Sequence, residues 1–146
     1  MSIKKKLIVI GGPTASGKTA LAIHLAQQHN TEIVSADSRQ FYKEMSIGTA
    51  KPTHEELAQA KHHFIGNLSI HDAYSVGDYE RDALLILDKI FEKNDTAIMV
   101  GGTGLYIRAV CEGLDTFPNV PLSIREEFAA VRCLHFQKSL QIPVLY

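Results

Sequence analysis

The chain has 146 residues, of which 45% are apolar and 21% charged, and its formal net charge is -1. This length suits one domain with a real core, and the balanced charge excludes a globally basic surface for nucleic acid. No segment approaches the apolar length that crosses a bilayer, and no signal-type run is present. Cys111 and Cys133 lack metal-ligand spacing and are expected to be small buried hydrophobes in a reducing compartment. We therefore expect a cytoplasmic protein without a membrane partner.

The first elements form a β–loop–α–β pattern. The apolar run at residues 7–10 is typical of a strand that is buried on both faces, as in a parallel sheet. Apolar residues at helical spacing predict a helix from about Ala20 to His29, and residues 32–36 predict a second strand. This order predicts a right-handed crossover and a parallel strand pair.

Helix-start patterns dominate the middle of the chain. Thr53 and Glu56 have capping-box spacing, which predicts a short helix to about His62. A second start lies at residues 75–78. It is followed by an apolar stripe that is expected to face the core, at Ala83, Ile86, Leu87 and Ile90.

A third buried-type strand is predicted at residues 96–100, followed by a helix at residues 105–111. Pro118 and Pro121 bracket a linker, and residues 123–126 again have capping-box spacing and open a last helix. The alternation of strands and helices predicts an α/β fold with a parallel sheet.

Residues 12–19 fill the phosphate-loop pattern Gly-x-x-x-x-Gly-Lys-Thr between a strand and a helix. Glycines allow successive backbone N–H groups to point at an anion, and the helix dipole adds positive potential. Lys18 would bind terminal phosphate oxygens, and the Thr19 hydroxyl is placed to ligate Mg²⁺. The pattern predicts a nucleotide or other polyphosphate ligand, bound by Gly12, Pro13, Thr14, Ala15, Ser16, Gly17, Lys18 and Thr19.

The usual Walker B aspartate of kinases and ATPases is absent, because the strand at residues 96–100 runs into Gly-Gly-Thr-Gly. The carboxylate that follows a strand is instead Asp37. Ligands of open α/β sheets bind beyond the carboxyl ends of the strands, so Asp37 and Thr103 should converge on the phosphate loop.

Each of these residues has two interpretations at this point. Asp37 is either a general base or metal-linked carboxylate, or the residue of an Asx-turn or helix N-cap. Thr103 donates its hydroxyl to a phosphate or leaving group, or caps the next helix, and the two roles are compatible. Arg39 binds phosphate or nucleic acid, or is an ordinary surface residue.

Taken in series, the motifs resemble those of the tRNA dimethylallyltransferases, also called tRNA isopentenyltransferases. The resemblance covers about residues 6–128. It rests on the phosphate loop at 12–19, Asp-Ser-Arg-Gln at 37–40, Ile-Gly-Thr-Ala-Lys-Pro at 47–52 and Gly-Gly-Thr-Gly-Leu-Tyr at 101–106. It implies a phosphate-loop NTPase-like parallel sheet flanked by helices, and transfer of a dimethylallyl group from dimethylallyl diphosphate to N6 of the adenine beside the tRNA anticodon.

The resemblance also implies roles for residues. Asp37 would accept the N6 proton and Thr103 would hydrogen-bond the diphosphate, which the loop holds with Mg²⁺. The residues that would contact tRNA are Asp37, Ser38, Arg39, Gln40, Thr103 and Arg125.

Members of that family are about twice as long, so the resemblance implies a truncated chain. Residues 1–114 would form the phosphate-loop α/β core. Residues 115–146 would begin a helical tRNA-binding insertion that is incomplete and departs from the family after about residue 130. We expect a monomer that is a poor catalyst by itself. The alternatives are a small-molecule kinase that uses ATP and a non-catalytic polyphosphate-binding fragment.

Overall fold

The computed structural model describes residues 4–114 and, beyond them, Pro121, Ser123, Ile124 and Glu126. Contacts divide the chain into two units, Met1–Leu114 and Asp115–Tyr146, and every element below belongs to the first. The strands are β1 (Lys6–Gly11), β2 (Ile33–Ser35), β3 (His62–His63) and β4 (Thr96–Gly101). The helices are α1 (Lys18–His29), α2 (His54–Gln59), α3 (Val76–Lys93) and α4 (Gly104–Glu112).

The four strands form one parallel sheet in the order β1-β4-β2-β3. The predicted α/β class is therefore confirmed. The expectation that β1 and β2 pair is wrong, because β4 lies between them and pairs with both. Five of the six residues of β4 are buried, because its central position covers both of its faces.

Strand β1 is less buried than its apolar run predicts. Within the described residues it lies at one edge of the sheet, and Val9 is 39% exposed. A strand at an edge has a partner on one side only, so its side chains are covered less completely than those of β4.

Alternating residues of β4 divide the core into two layers. Ile98 and Val100 pack with Ile33 and with α1 on one face. Ala97 and Met99 pack on the other face, with Val34 and the buried side of α3. This period-two pattern places helices on both faces of the sheet. The predicted stripe lies against this core: Ala83, Leu87 and Ile90 are buried, and Ile86 packs beside them.

Side-chain caps define where two helices begin. Thr53 and Glu56 form the predicted capping box of α2, and Ser75 and Asp78 form that of α3. Helix α2 ends at Gln59 rather than near His62, because the chain leaves the helix to pair with β2 as β3.

Two further expectations concern single residues and the membrane. Cys111 is exposed on α4, so the expectation that it is buried is wrong. Cys133 lies outside the described residues. No helix in the described part combines the length and apolarity needed to cross a membrane.

Candidate active site

The phosphate loop connects the end of β1 to the start of α1, as the sequence predicts. Gly17 precedes the helix at φ 81° and Ala15 lies at φ 62°, both in the left-handed region. Glycine adopts this region without a steric penalty. Gly17 therefore lets the loop turn into α1 without a steric penalty.

Lys18 folds back over this loop. Its ammonium donates hydrogen bonds to the Pro13 carbonyl and to Ser16 Oγ, the latter at 3.3 Å. Ser16 Oγ also donates to the Pro13 carbonyl, at 2.8 Å. The cation is thus held at the loop, where it can exchange these neutral acceptors for an anion.

Asp37 follows β2 and makes the contact expected from one of its two predicted interpretations, the Asx-turn. Its Oδ1 accepts a hydrogen bond from the Arg39 N–H at 3.2 Å, which is an Asx-turn contact. The second oxygen, Oδ2, lies near Gly102, where a Cβ would be 3.9 Å away. The turn therefore orients the carboxylate while leaving one oxygen directed toward the end of β4.

The ends of β2 and β4 approach closely. A Cβ on Gly101 would lie 2.8 Å from Ala36 Cα and closer still to the Ala36 carbonyl, so only glycine fits without a backbone shift. Thr103 N donates to the Ala36 carbonyl at 3.2 Å, and Ser38 N donates to Thr103 Oγ1 at 3.1 Å. Thr103 occupies the N-cap position of α4 without a side-chain capping bond.

A pocket of about 300 Å³ unites much of the predicted site. Residues 14–20 line it together with Asp37 and Gln40. Ser38, Arg39 and Thr103 do not line this pocket, although the bond between Ser38 and Thr103 joins the loops beside Asp37. Arg125 lies outside the described residues, so its predicted role has no structural counterpart here.

Gln40 acts within the protein. Its amide nitrogen donates to the carbonyls of Thr49 and Ala50, at 3.2 and 3.0 Å, and its oxygen lies 3.5 Å from Ser35 Oγ. Gln40 therefore ties the end of β2 to the loop that reaches Lys51, another residue of the pocket wall.

His62 is a pocket residue that the sequence analysis did not select. Its Nδ1 lies 2.8 Å from the Ala60 carbonyl, which makes Nδ1 the protonated nitrogen. Its Nε2 is buried and has no hydrogen-bond partner among the described residues. Burial lowers the pKa of His62, against an opposing contribution from the Ala60 carbonyl. No local pattern indicated this role, because His62 reaches the pocket through the pairing of β3 with β2.

Tyr79 contacts the end of β2 behind the pocket, and the sequence analysis did not select it as a site residue. It is fully buried, and its hydroxyl donates to the Ser35 carbonyl at 2.9 Å. The Ile33 N–H donates a hydrogen bond to the Lys61 carbonyl, on the β3 side, and the Ala36 N–H donates one to the Val100 carbonyl of β4. Because successive residues of a strand point their backbone groups to opposite sides, the Ser35 carbonyl faces the β3 side. Strand β3 ends before it reaches Ser35, so the Tyr79 hydroxyl takes the place of a backbone donor.

Aromatic rings fill the space beneath these loops. Phe41 stacks on Tyr79 at a ring distance of 5.3 Å, and Tyr106 meets both edge-on. Phe64 contacts the same two rings from β3's side. This packing joins α3 and α4 to the segment that carries Asp37 and makes that segment rigid.

Comparison with known sequences points to one family. The family model described as IPP transferase matches residues 40–142. A tRNA dimethylallyltransferase of Flavobacterium psychrophilum is 60% identical over 121 residues, which are 83% of this chain and 39% of that protein. Its counterpart from Christiangramia forsetii is 62% identical over 119 residues, with coverage of 82% and 39%. The chain thus spans about 39% of the length of these curated relatives.

Solved structures agree with the sequence matches. The full-length tRNA isopentenylpyrophosphate transferase of Bacillus halodurans is 37% identical, with a TM-score of 0.74, and the match covers 96% of this chain and 48% of that one. A eukaryotic dimethylallyltransferase acting on tRNA is 31% identical, with a TM-score of 0.72 and coverage of 82% and 31%. The fold is therefore that of a phosphate-loop NTPase-like transferase.

Proposed function

The chain belongs to the IPP transferase family, and on that premise we propose that it carries the phosphate-loop core of a tRNA dimethylallyltransferase. The complete reaction would move a dimethylallyl group from dimethylallyl diphosphate to N6 of the adenine beside the anticodon. One observation carries the proposal: the Asp37 carboxylate and the phosphate loop line the same pocket. An anion site beside a potential base suits displacement of a diphosphate by an amine.

The diphosphate would lie in the loop of residues 12–19. Lys18 already places its ammonium at this loop, and the loop leads into the N-terminus of a helix of 12 residues. Both features favour a multiply charged anion. A leaving diphosphate would take over the hydrogen bonds that Lys18 now makes to Pro13 and Ser16.

Magnesium fits the residues at this pocket as a diphosphate-bound ion. The described residues contain no group of three or more His, Cys, Asp or Glu side chains that could cage a metal by themselves. Mg²⁺ commonly uses one or two protein oxygens, with phosphate oxygens and waters completing its shell. Thr19, which lines the pocket, would supply such an oxygen. When bound, the ion would neutralise charge on the departing diphosphate.

The chemical step would be a displacement at the allylic carbon. The N6 nitrogen would form a bond to the allylic carbon while the bond between that carbon and the diphosphate oxygen breaks. Asp37 would accept the N6 proton, and the diphosphate would leave. Asp37 Oδ1 is held by Arg39 N–H, so Oδ2 is the oxygen available for that proton. Thr103 Oγ1 accepts from Ser38 N and lies 3.4 Å from Ser38 Oγ. Its hydroxyl hydrogen would turn to the diphosphate when the ligand binds.

The tRNA would approach across the segment after β2. Arg39 is exposed beside Asp37, and Ser38 is bonded to Thr103. We further propose that residues 115–146 begin the helical insertion that grips tRNA, including Arg125. The chain spans about 39% of the length of its curated relatives, and we propose that the part it holds binds the diphosphate.

Ligand-dependent thermal stability tests the proposed site, because a ligand that binds only the folded state raises the melting temperature. With Mg²⁺ present, dimethylallyl diphosphate should shift the melting temperature more than ATP does. Lys18→Ala should weaken diphosphate binding at least about tenfold, since a charge-assisted hydrogen bond is lost. Lys89→Ala, on the exposed face of α3, serves as a matched loss of charge. A larger shift with ATP would instead favour a kinase, and no shift with either would contradict a working phosphate site.

Asp37→Asn separates binding from chemistry. In a full-length relative of this family, the variant should bind dimethylallyl diphosphate nearly as well as the wild type but transfer it far more slowly. If diphosphate affinity falls while transfer per bound complex is retained, Asp37 is a metal or structural residue rather than the base.

A further inference from the structure

One large apolar side chain is almost entirely outside the protein. Ile47 is 97% exposed, far more than the other large apolar residues of the described part, the next of which, Leu105, is 57% exposed. A single exposed apolar residue is ordinary on a protein surface, and its exposure alone means little. What distinguishes Ile47 is the rigidity of the loop that carries it and the position of that loop.

The loop of residues 43–51 is held by its own hydrogen bonds and by Gln40. Buried Thr49 donates its hydroxyl to the Met45 carbonyl at 2.7 Å, and Ser46 Oγ donates to the Lys43 carbonyl at 3.2 Å. Gln40 bonds the carbonyls of Thr49 and Ala50 from the pocket side. Ile47 is therefore presented at a fixed tip, and binding a partner through it costs little ordering entropy.

This tip is close to the reaction site. Ala50, Lys51 and Pro52 line the same pocket as the phosphate loop and Asp37. Because consecutive Cα atoms are 3.80 Å apart, Ile47 Cα lies within about 11 Å of Ala50 Cα. Ile47 is thus near enough to the pocket for a nucleic-acid strand that enters the pocket to reach it as well.

The charges around the tip suit a polyanion. Arg39 and Lys43 are exposed, and within the described residues neither has a carboxylate within 4.0 Å. The nearby Glu44 carboxylate accepts from Ser69 Oγ at 2.8 Å and from Ile70 N at 3.2 Å, so it is directed toward residues 69–70 rather than toward either cation. Lys43 in the loop of the apolar tip and Arg39 on the segment that leads to it match a nucleic acid, with phosphates to pair and bases to contact.

We infer that the 43–51 loop is a wedge that enters the RNA base stack, with Ile47 filling the space that the target adenine leaves when it turns into the pocket. This inference rests on the proposed function, because it assumes that an RNA base enters the pocket. Proteins that open a base stack often insert an aliphatic side chain, since its burial offsets part of the cost of unstacking. Arg39 and Lys43 would hold the flanking phosphates.

The test uses the purified chain and a synthetic anticodon stem-loop RNA in which 2-aminopurine replaces the adenine beside the anticodon. Fluorescence of 2-aminopurine rises when the base leaves the stack. Wild-type chain should raise it, and Ile47→Ser should bind the RNA about tenfold more weakly and lose most of the rise. Ile47→Leu should retain the rise. Leu85→Ser removes a 56% exposed aliphatic residue on α3 and should behave as the wild type.

Three outcomes would overturn the inference. The first is a fluorescence rise in Ile47→Ser that equals that of the wild type, and the second is an absence of RNA binding by the wild-type chain. The third is a change in sedimentation of Ile47→Ser which shows that Ile47 lies in a contact between two copies of the chain. Ile47 is almost fully exposed, so its replacement should not affect folding, and the melting temperature checks this. The melting shift with dimethylallyl diphosphate is measured on the same samples. If that shift persists while the RNA result fails, the diphosphate site stands and only the wedge is lost.

Discussion

The hydroxyl oxygen of Thr103 accepts a hydrogen bond from the backbone N–H of Ser38 at 3.1 Å. This bond joins the loop after β4 to the loop after β2, and it lies one residue from Asp37. The backbone bond from Thr103 N to the Ala36 carbonyl, at 3.2 Å, doubles the connection. Two segments that are 65 residues apart in the chain are thereby held as one wall beside the phosphate loop.

Replacing Thr103 by valine removes this acceptor and keeps the side-chain shape. We expect inorganic pyrophosphate with Mg²⁺ to bind about tenfold more weakly, because a hydroxyl donor to a charged ligand is lost and the wall loosens. Calorimetric titration measures the affinity. Thr103→Ser keeps the hydroxyl and should bind nearly as well as the wild type; equal affinities for the serine and valine variants would refute a role for the hydroxyl.

Replacing Gly101 by alanine should destabilise the fold. A Cβ at this position would lie 2.8 Å from Ala36 Cα and would force β2 and β4 apart. Overpacking of this kind costs about 1–3 kcal/mol of the free energy of unfolding. Urea denaturation provides the measurement. Gly104→Ala is the matched control, since a Cβ there meets nothing within 4 Å. Equal stabilities of the two variants would show that the strands can separate at no cost.

Replacing Tyr79 by phenylalanine should leave the Ser35 carbonyl without its donor. The ring still fills the core, so the loss of about 1–3 kcal/mol comes from the unsatisfied polar group. Tyr106→Phe removes a hydroxyl that makes no hydrogen bond among the described residues, and it should cost much less. If Tyr79→Phe is as stable as the wild type in chemical denaturation, another donor or a water must satisfy that carbonyl.

The free energy of unfolding should decrease as the pH drops below 6.5, which is the ordinary pKa of histidine. Burial lowers the pKa of His62 in the folded state, so the unfolded chain binds a proton first. The stability that neutral His62 contributes is therefore fully present above pH 6.5. It is lost as the pH falls through the lowered pKa that His62 has in the folded protein. Melting temperatures of the wild type and His62→Asn, measured across this range, check the prediction.

Charged neighbours modify this behaviour without reversing it. Glu56 favours the protonated form of His62, and His63 opposes it. His24→Asn, on the exposed side of α1, is the matched control for replacing a histidine by asparagine. A slope that is identical in His62→Asn and the wild type would assign the acid sensitivity to other groups.

A second loss should appear at more acidic pH through Glu32. Burial raises the pKa of Glu32, but hydrogen bonds from His63 and Lys61 outweigh it and hold the pKa below its usual 4.5. Its contribution is present above 4.5 and disappears as the pH falls through the lower folded value. The loss from Glu32 begins below pH 4.5 and the loss from His62 begins below pH 6.5, so the two losses start at different points of one pH series.

Local patterns predicted the elements that depend on neighbours in the chain. Capping at Thr53 and Ser75 was readable, because a capping box is made by residues three apart. The strand–loop–helix around Lys18 was readable for the same reason. Strand β3 could not be predicted from local patterns. Its two residues form a strand only because they pair with β2, some 30 residues earlier.

The candidate site divides in the same way. The sequence by itself determined the phosphate loop, the carboxylate after β2 and the glycine-rich end of β4, because each is a short pattern with its own backbone requirement. Only the tertiary structure decided that β4 lies between β1 and β2 and that Gly101 touches Ala36. It also brought His62 into the pocket and set Ile47 outside it on a rigid loop. These features arise from contacts between distant segments, and strand order and burial are properties of the packed chain rather than of any stretch within it.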